Sequence, residues 1–212
     1  MKRRFDTNKL AAYRPYTRQR EFHEAGLTHR ERLLMAANQV GKTYCGAAET
    51  AIHLTGEYPD WWPGRRWDRP IRAMAASKTG EVTRDGPQRY LLGEPKDKSQ
   101  IGYGLIPLRC IVGRPTVRQG IAAAISGVVV KHKSGGNSTL SFKSYDQGRE
   151  AMQADSLDLV WPDEEPPSDV YYEMLTRTNA TGGMVMITFT PLLGMSTIVS
   201  EFIDAEESED DV

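Results

Sequence analysis

The residues whose types and spacing point most directly to chemistry lie in one run of eight, AANQVGKT, at residues 36–43. The run fits the phosphate-loop pattern G-x-x-x-x-G-K-[ST] at every defined position but the first, where Ala36 replaces glycine. Gly41 allows the backbone N–H groups of such a loop to turn toward phosphate oxygens. Lys42 would then reach the β- and γ-phosphates, and the Thr43 hydroxyl would coordinate Mg²⁺. The run therefore predicts a triphosphate-binding loop, with an ordinary turn and helix start as the alternative.

Two adjacent acids later in the chain supply what a triphosphate loop needs as metal anchor and water activator. Asp163 and Glu164 follow a mostly apolar segment, Leu157–Trp161, that is typical of a buried strand. On this interpretation Asp163 holds hydrated Mg²⁺, while Glu164 orients and deprotonates the attacking water. Glu165 is the neighbouring candidate for the second role. The alternative, a strand ending in a solvated acidic turn, is weakened because the phosphate loop occurs in the same chain.

The elements that must position these residues alternate between apolar strands and helices. A helix capped by Thr17 and ended by Gly26 is predicted before the loop. Strands are predicted over residues 32–37, 71–76, 157–161 and 184–190, and helices over 42–54, 79–92 and 169–177. Gly86 and Pro87 should break or kink the second of these helices. The alternation predicts an α/β fold with a mostly parallel central sheet flanked by helices on both faces, together with a β-hairpin at 128–143.

Composition excludes several classes of protein. With 212 residues, 39% of them hydrophobic and 26% charged, the chain is unlike disordered, collagenous or disulfide-stabilised proteins. No apolar run approaches the roughly 18–20 residues needed to cross a bilayer, so we expect no membrane segment. Cys45 and Cys110 are interpreted as buried hydrophobes, and the four histidines lack the spacing of zinc ligands.

Charge and sequence character suggest three parts of the chain. Residues 1–200 carry a net charge of +6, whereas the last twelve residues carry −7. The basic surplus is modest, and an evenly solvated surface explains it as well as a polyanionic partner does. We expect an irregular arm at residues 1–15, a nucleotide-hydrolysing domain at 16–200, and an acidic segment at 201–212 that is either a disordered tail or the start of a linker.

With the loop and the acidic pair identified, the chain resembles the ATPase domain of the large terminase subunit of tailed double-stranded DNA bacteriophages, above all that of headful-packaging, P22-like phages. The resemblance runs from about Tyr13 to Phe202. Its landmarks, in chain order, are YTRQREF at 16–22, NQVGKT at 38–43, HLTGEYP at 53–59, DEEPP at 163–167, LTRTN at 175–179 and TFTPL at 188–192. The resemblance implies a P-loop NTPase of the ASCE type and an ATP-hydrolysing motor that drives double-stranded DNA into a procapsid.

The resemblance also implies which residues bind the nucleotide. Tyr16 and Gln19 match an adenine-recognition motif, in which an aromatic ring stacks on the base and an amide hydrogen-bonds its edge. Outside the resemblance, Gln19 would be an ordinary surface residue of a helix. The implied ATP-binding residues are Tyr16, Gln19, Asn38, Gln39, Val40, Gly41, Lys42 and Thr43.

A second implied motif couples hydrolysis to movement. The segment Thr188–Pro191 resembles the family's coupling motif, in which a hydroxyl at a strand end senses the γ-phosphate. Thr188 and Thr190 are the candidates, and Thr190 is the first choice. Because threonine is common in strands, the residues alone favour a structural role.

An arginine that neutralises charge on the transferred phosphoryl group is usual in such motors. Many terminases carry it within the phosphate loop, where this chain has Asn38 and Gln39. Others carry it about ten residues before the acidic pair, where this chain has Gln153. Arg149 is the nearest substitute, and we expect it to act on a neighbouring subunit. The alternative is an arginine that forms a surface salt bridge.

Cofactors, partners and location are likewise implied by the resemblance. ATP and Mg²⁺ are the expected cofactors, and double-stranded viral DNA, the portal protein and the small terminase subunit are the expected partners. We expect a homo-oligomeric ring, of five copies, on the procapsid and a monomer in isolation. The expected location is the host cytoplasm, with transient docking at the portal vertex and no membrane contact. The family's nuclease carboxylates have no counterpart in this sequence, so we expect no DNA cleavage.

Two functions from other classes remain open at this point. A helicase-like ATPase shares both phosphate-loop elements and an upstream glutamine, but it normally needs a second motor domain. A regulatory module that binds nucleotide without turnover is disfavoured by the adjacent acids. Residues 58–72 interleave tryptophans with arginines, for which we favour packing on the body over contact with nucleic acid.

Overall fold

The computed structural model describes residues 8–37, 39–153, 156–191 and 196–210, and within these ranges a seven-stranded β-sheet forms the centre. The strands are β1 Glu31–Met35, β2 Arg72–Ser77, β3 Ile111–Val117, β4 Ile125–Lys131, β5 Asn137–Ser144, β6 Leu159–Pro162 and β7 Met184–Phe189. Their order across the sheet is β1-β7-β6-β2-β5-β4-β3. The first five in this order are parallel, and β4 and β3 continue the sheet in antiparallel pairing. The predicted α/β fold, mostly parallel sheet and β4–β5 hairpin are confirmed.

The edge strand β3 is absent from the predicted elements. It is mostly exposed and contains Gly113 and Pro115, neither of which favours a strand interior. Proline is tolerated at a sheet edge, because there its missing N–H need not pair with a neighbour. The strand therefore forms through its pairing with β4, which its own residues do not predict.

Helices cover both faces of the sheet. They are α1 Lys9–Ala12, α2 Thr17–Ala25, α3 Lys42–Thr55, α4 Gly80–Thr83, α5 Arg89–Leu92, α6 Gly148–Ala151, α7 Ser168–Asn179 and α8 Thr197–Asp210. Along β2, Ala73 and Ala75 pack in the layer that contains α3, whereas Met74 and Ala76 pack in the layer of α7 and α8. This alternation explains why the strands are apolar throughout. Among the described residues, no helix combines the length and apolarity that crossing a bilayer requires.

The predicted break at Gly86 and Pro87 takes the form of a π-helical turn. The turn, Arg84–Gln88, joins α4 to α5, so the chain remains helical from Gly80 to Leu92. The amide of Arg89 donates to the carbonyl of Arg84, five residues earlier. The wider turn accommodates a proline that lacks an N–H, where an ordinary helix interior would be disrupted.

The first described residues are more ordered than the predicted arm. Residues 9–12 form α1, and Leu10 and Tyr13 are buried in the core. These apolar contacts explain why the segment is not irregular, because burying such side chains offsets the entropy lost on ordering a short helix. The proposed domain boundary at residue 15 stays a prediction.

The acidic end of the chain is helical as far as Asp210. α8 covers most of the segment 201–212, so the predicted disorder of its end is wrong for the residues up to Asp210. Ile198 and Val199 are buried and anchor the first turn of the helix on the core. The glutamates that follow are good helix formers, which allows the helix to continue from that anchor.

The loop that interleaves tryptophan and arginine packs on the body of the protein. Trp62 and Trp67 are buried. The guanidinium groups of Arg65 and Arg69 lie 4.0 and 4.9 Å from the Trp67 ring centroid, a cation–π arrangement. The packing interpretation of this loop is confirmed.

Candidate active site

The phosphate loop joins β1 to α3 in the strand-loop-helix order that its sequence predicts. β1 ends at Met35, and α3 begins at Lys42 with Gly41 as its N-cap. Gly41 has a φ of 83° and Gln39 a φ of 64°, so the loop passes through left-handed conformations before the helix. The N–H groups in the first turn of α3 have no partner within the helix, and together with the helix dipole they favour an anion here. Asn38 lies outside the described residues.

Lys42 is held across the loop. Its Nζ donates a 2.7 Å hydrogen bond to the Ala37 carbonyl, and the residue is buried. An ammonium carries three N–H groups, so this bond leaves two for phosphate oxygens. Val40, in the same loop, is exposed.

Asp163 is the point at which the two predicted motifs meet. Its Oδ1 accepts hydrogen bonds from the hydroxyls of Thr43, at 3.0 Å, and Thr188, at 2.8 Å. Burial raises the pKa of Asp163 to about 6, and the two hydroxyl donors oppose a larger rise. The structure thus brings the start of α3, the end of β6 and the end of β7 to one carboxylate.

Thr188 reaches Asp163 because β7 lies between β1 and β6 in the sheet. Its hydroxyl donates to Asp163, and its oxygen accepts a 2.8 Å hydrogen bond from the indole of Trp161, a residue that sequence reasoning treats only as apolar. Trp161 packs closely on α3, since a Cβ at Gly46 would lie 2.4 Å from the indole nitrogen. Thr190 is half-buried and lies just beyond β7. Of the two candidate threonines, Thr188 is the one that touches Asp163.

The backbone at Glu164 adopts a conformation that residues other than glycine rarely take. Its φ is 73°, its N–H donates to the Thr188 carbonyl at 2.8 Å, and its carbonyl accepts from the Tyr145 hydroxyl at 2.6 Å. The Ser77 hydroxyl donates to the carbonyl of Asp163 at 2.7 Å. Strain of this kind costs about 1–3 kcal/mol and persists where surrounding contacts enforce it, often at functional sites. Neither Ser77 nor Tyr145 belongs to a motif that would have revealed this role.

Glu165 and Arg149 are each engaged by a neighbouring side chain. Glu165 accepts a hydrogen bond from the Ser196 hydroxyl. Nε of Arg149 donates to Glu173 at 2.8 Å, although the arginine side chain is 60% exposed. This bond, with the charge of Arg177, lowers the pKa of Glu173 despite the burial of the carboxyl group. Glu173, a buried acid, thus holds Arg149 at the surface. The action of Arg149 on a neighbouring subunit stays a prediction.

Gln19 is buried against the phosphate loop instead of lying on the helix surface. Its Nε2 donates to the Gly41 carbonyl at 3.3 Å, and its Oε1 accepts from the Tyr16 amide at 3.0 Å. Because Gln19 reaches back in this way, Tyr16 is the N-cap of α2, one residue before the predicted cap Thr17. The Tyr16 ring is exposed. The two residues of the motif therefore place an aromatic ring at the surface and an amide on the loop.

A buried charge cluster links α2, β1 and α3 and is missing from the predicted site. Glu49 accepts hydrogen bonds from His23 at 2.7 Å and from Arg32 at 2.6 Å, and His53 lies 3.4 Å away. Burial alone would raise the pKa of Glu49, but the Arg32 charge and the histidine hydrogen bonds hold it well below its usual range. The local signal is the spacing of Glu49 and His53, four residues apart in a buried helix.

Comparison with known proteins assigns the chain to a family. A family model described as terminase large subunit, T4likevirus-type, N-terminal, matches residues 33–211. The large terminase subunit of Salmonella phage P22 is 39% identical over 215 aligned residues, which cover 93% of this chain and 43% of that protein. The chain belongs to the terminase large subunit family. The resemblance carried by its motifs is confirmed, and the helicase-like alternative is not favoured.

Other terminases extend this comparison. The large subunit of Enterobacteria phage LP7 is 26% identical and covers 93% of this chain and 44% of that protein. The solved large terminase ATPase domain of Thermus phage P74-26 matches with a TM-score of 0.61 at 15% identity, covering 89% of this chain and 70% of that one. At this identity the likeness establishes the fold. The terminase chain spans less than half the length of both curated relatives.

Proposed function

We propose that this terminase chain binds ATP together with Mg²⁺ and hydrolyses it. The observation that carries the proposal is the hydrogen bond from Thr43 to Asp163, because it joins the phosphate loop to the acidic pair. Membership of the terminase large subunit family supports it. The relative from Thermus phage P74-26 is itself described as an ATPase domain.

The side chains at this contact fit a magnesium ion. Mg²⁺ prefers oxygen ligands, keeps several waters and is usually bound by one or two carboxylates with the phosphates of a substrate. The Thr43 hydroxyl and the Asp163 carboxylate are ligands of this kind. Both hydroxyl bonds fall on Oδ1 of Asp163, so Oδ2 accepts no hydrogen bond from the residues that the structure describes. A bound Mg²⁺ would neutralise charge on the β- and γ-phosphates.

The protein's own residues divide the remaining tasks. Lys42 and the N–H groups at the start of α3 bind the phosphates, because both present donors and positive charge. The carboxylate of Glu164 accepts a proton from the attacking water, and its clamped backbone holds it for that role. Thr188, shared between Asp163 and Trp161, couples loss of the γ-phosphate to Thr190 and the residues beyond β7.

We also propose that hydrolysis drives double-stranded DNA into a procapsid from a ring of copies. Arg149 supports this arrangement because Glu173 holds its Nε while most of the side chain faces outward, available to a neighbour. The portal protein and the small terminase subunit are the proposed partners, in the host cytoplasm. Tyr16 and Gln19 are proposed to recognise adenine.

Replacing the proposed base tests the hydrolytic function. We expect Glu164→Gln to lower the rate of phosphate release by about 10²–10⁴-fold, the usual contribution of a general base. ATP binding, measured by titration calorimetry, should persist because Gln keeps the shape of the side chain. Glu165→Gln is the matched control and should keep its activity. Unchanged turnover in Glu164→Gln would reject the assignment of the base.

A further inference from the structure

The π-helical turn Arg84–Gln88 lies directly against Asp163. A Cβ built on Gly86 would lie 3.3 Å from Oδ2 of Asp163. Apart from the adjoining residues Asp85 and Pro87 and the helix's own backbone, Oδ2 is the one atom of the described chain that this Cβ would meet within 4 Å. The side of Gly86 on which a side chain would project therefore borders the carboxylate oxygen.

The oxygen beside Gly86 is the one that the protein leaves available. Thr43 and Thr188 both donate to Oδ1, and no described residue donates to Oδ2. A carboxylate oxygen carries two lone pairs and forms hydrogen bonds at about 2.5–3.0 Å from water. A methyl group 3.3 Å from Oδ2 would occupy space that such a water needs.

The turn is unable to retreat from Asp163 because it is tied to the sheet on both sides of Gly86. Thr83 donates from its hydroxyl to the Lys143 carbonyl at 2.8 Å. Gln88 is buried; its Nε2 donates to the Ala123 carbonyl at 2.9 Å, and its Oε1 accepts from the Ile125 amide at 2.8 Å. These bonds fix the distance between the helical segment and Asp163.

The φ of Gly86 is not positive, so no left-handed conformation requires glycine here. Gly86 does precede Pro87 within a helical turn, where a Cβ would crowd the proline ring, so the local backbone also favours glycine. The absence of a side chain matters here for the space that it leaves, and π-helical turns are frequent at functional sites.

We infer that Gly86 is a positioning residue for the metal: its missing side chain keeps Oδ2 of Asp163 open to a water of hydrated Mg²⁺. The inference rests on the proposed function and adds a residue to it that neither nucleotide motif contains. It assigns the helical segment that follows β2 a place in the wall of the nucleotide site, opposite the threonines that hold Oδ1. Changes in the surroundings of metal ligands typically alter metal affinity by about 10–100-fold.

Calorimetric titration of ADP, with Mg²⁺ and with EDTA, tests the inference on Gly86→Ala. The affinity gained from Mg²⁺ should fall by about tenfold or more in the variant. ADP affinity in EDTA should be unchanged, even where contact of the new Cβ with Pro87 lowers the unfolding temperature. Asp85→Ala is the control: it alters the same turn at a side chain that is 53% exposed, and should keep the full Mg²⁺ gain.

The outcomes separate the inference from the proposed function. If Mg²⁺ raises the ADP affinity of Gly86→Ala as much as that of the wild type, the inference is overturned and the proposed function is left intact. Equal losses with and without Mg²⁺, accompanied by a lower unfolding temperature, would show that Gly86 serves packing and would also overturn it. A wild-type protein that binds ADP no better with Mg²⁺ would overturn both.

Discussion

Replacement of Thr188 by valine removes a hydroxyl that serves two buried groups at once. The hydroxyl donates to Asp163 Oδ1 at 2.8 Å and accepts from the Trp161 indole at 2.8 Å. Valine has nearly the same shape, so the change leaves packing almost intact. It deprives the indole N–H of its acceptor, and it leaves the carboxylate of Asp163 with Thr43 as its remaining hydroxyl donor.

The cost follows from the burial of both partners. Trp161 is fully buried, and leaving a buried donor without an acceptor costs about 1–3 kcal/mol. A hydrogen bond to a charged group adds about 1.5–3 kcal/mol. We therefore expect Thr188→Val to lower the free energy of unfolding by about 2.5–6 kcal/mol. At about 2–4 °C per kcal/mol for a protein of this size, the unfolding temperature should fall by about 5–24 °C. The pKa of Asp163 should rise further, because one of the donors that stabilise its charged form is lost.

Thermal and urea unfolding of four variants provide the measurement. Thr188→Ser keeps the hydroxyl and should retain most of the stability, and Trp161→Phe removes the indole N–H together with part of the packed ring. Thr188→Val combined with Trp161→Phe should lose less stability than the sum of the single changes, because the orphaned donor is then absent. Full stability in Thr188→Val, or strict additivity in the double variant, would refute the shared hydrogen bond.

Two further predictions concern pH and oligomerisation. The pKa of Asp163 is about 6 in the folded protein against a reference of 3.8, so the folded state binds more protons between these values. The contribution of this group to stability should therefore increase by about 2 kcal/mol as pH falls from 7.5 to 4.5, measured as wild type against Asp163→Asn. An equal difference in stability between wild type and Asp163→Asn at both pH values would contradict this prediction. For Arg149→Ala we expect nucleotide binding to persist, while the rise in phosphate release per molecule with increasing protein concentration disappears. A wild-type rate that does not depend on protein concentration would count against Arg149 acting between copies.

Local sequence signals were sufficient for the elements that carry the nucleotide motifs. The loop before α3 needs a glycine at the left-handed turn and a lysine and threonine at the helix start, and these requirements act within eight residues. The acids Asp163 and Glu164 likewise follow their strand directly. Alternate residues of the parallel strands point to opposite faces of the sheet, and helices cover both faces. The strands are therefore apolar throughout, which is why their sequence predicts a covered sheet.

Sequence signals were weakest where an element depends on a distant partner. β3 is a strand because β4 lies beside it, despite Gly113 and Pro115. Gln19 looks like an exposed helix residue in isolation and becomes buried only because α2 packs against the phosphate loop. On its own helix Glu49 has His53 as a polar neighbour, whereas Arg32 and His23 arrive from other elements. Long-range pairing of this kind leaves no periodic trace in the chain.

Residue types and short spacings alone determined that the protein has a phosphate loop, an acidic pair at the end of a buried strand, and an alternating α/β order, because each arises from backbone and side-chain requirements within a few residues. Tertiary structure decided that Thr188 joins Thr43 at Asp163, that Trp161 shares the Thr188 hydroxyl, and that Gly86 borders the carboxylate. These relations depend on strand order and on helices packed across the sheet. Such distances are fixed by the fold as a whole, and no neighbouring residue in the chain encodes them.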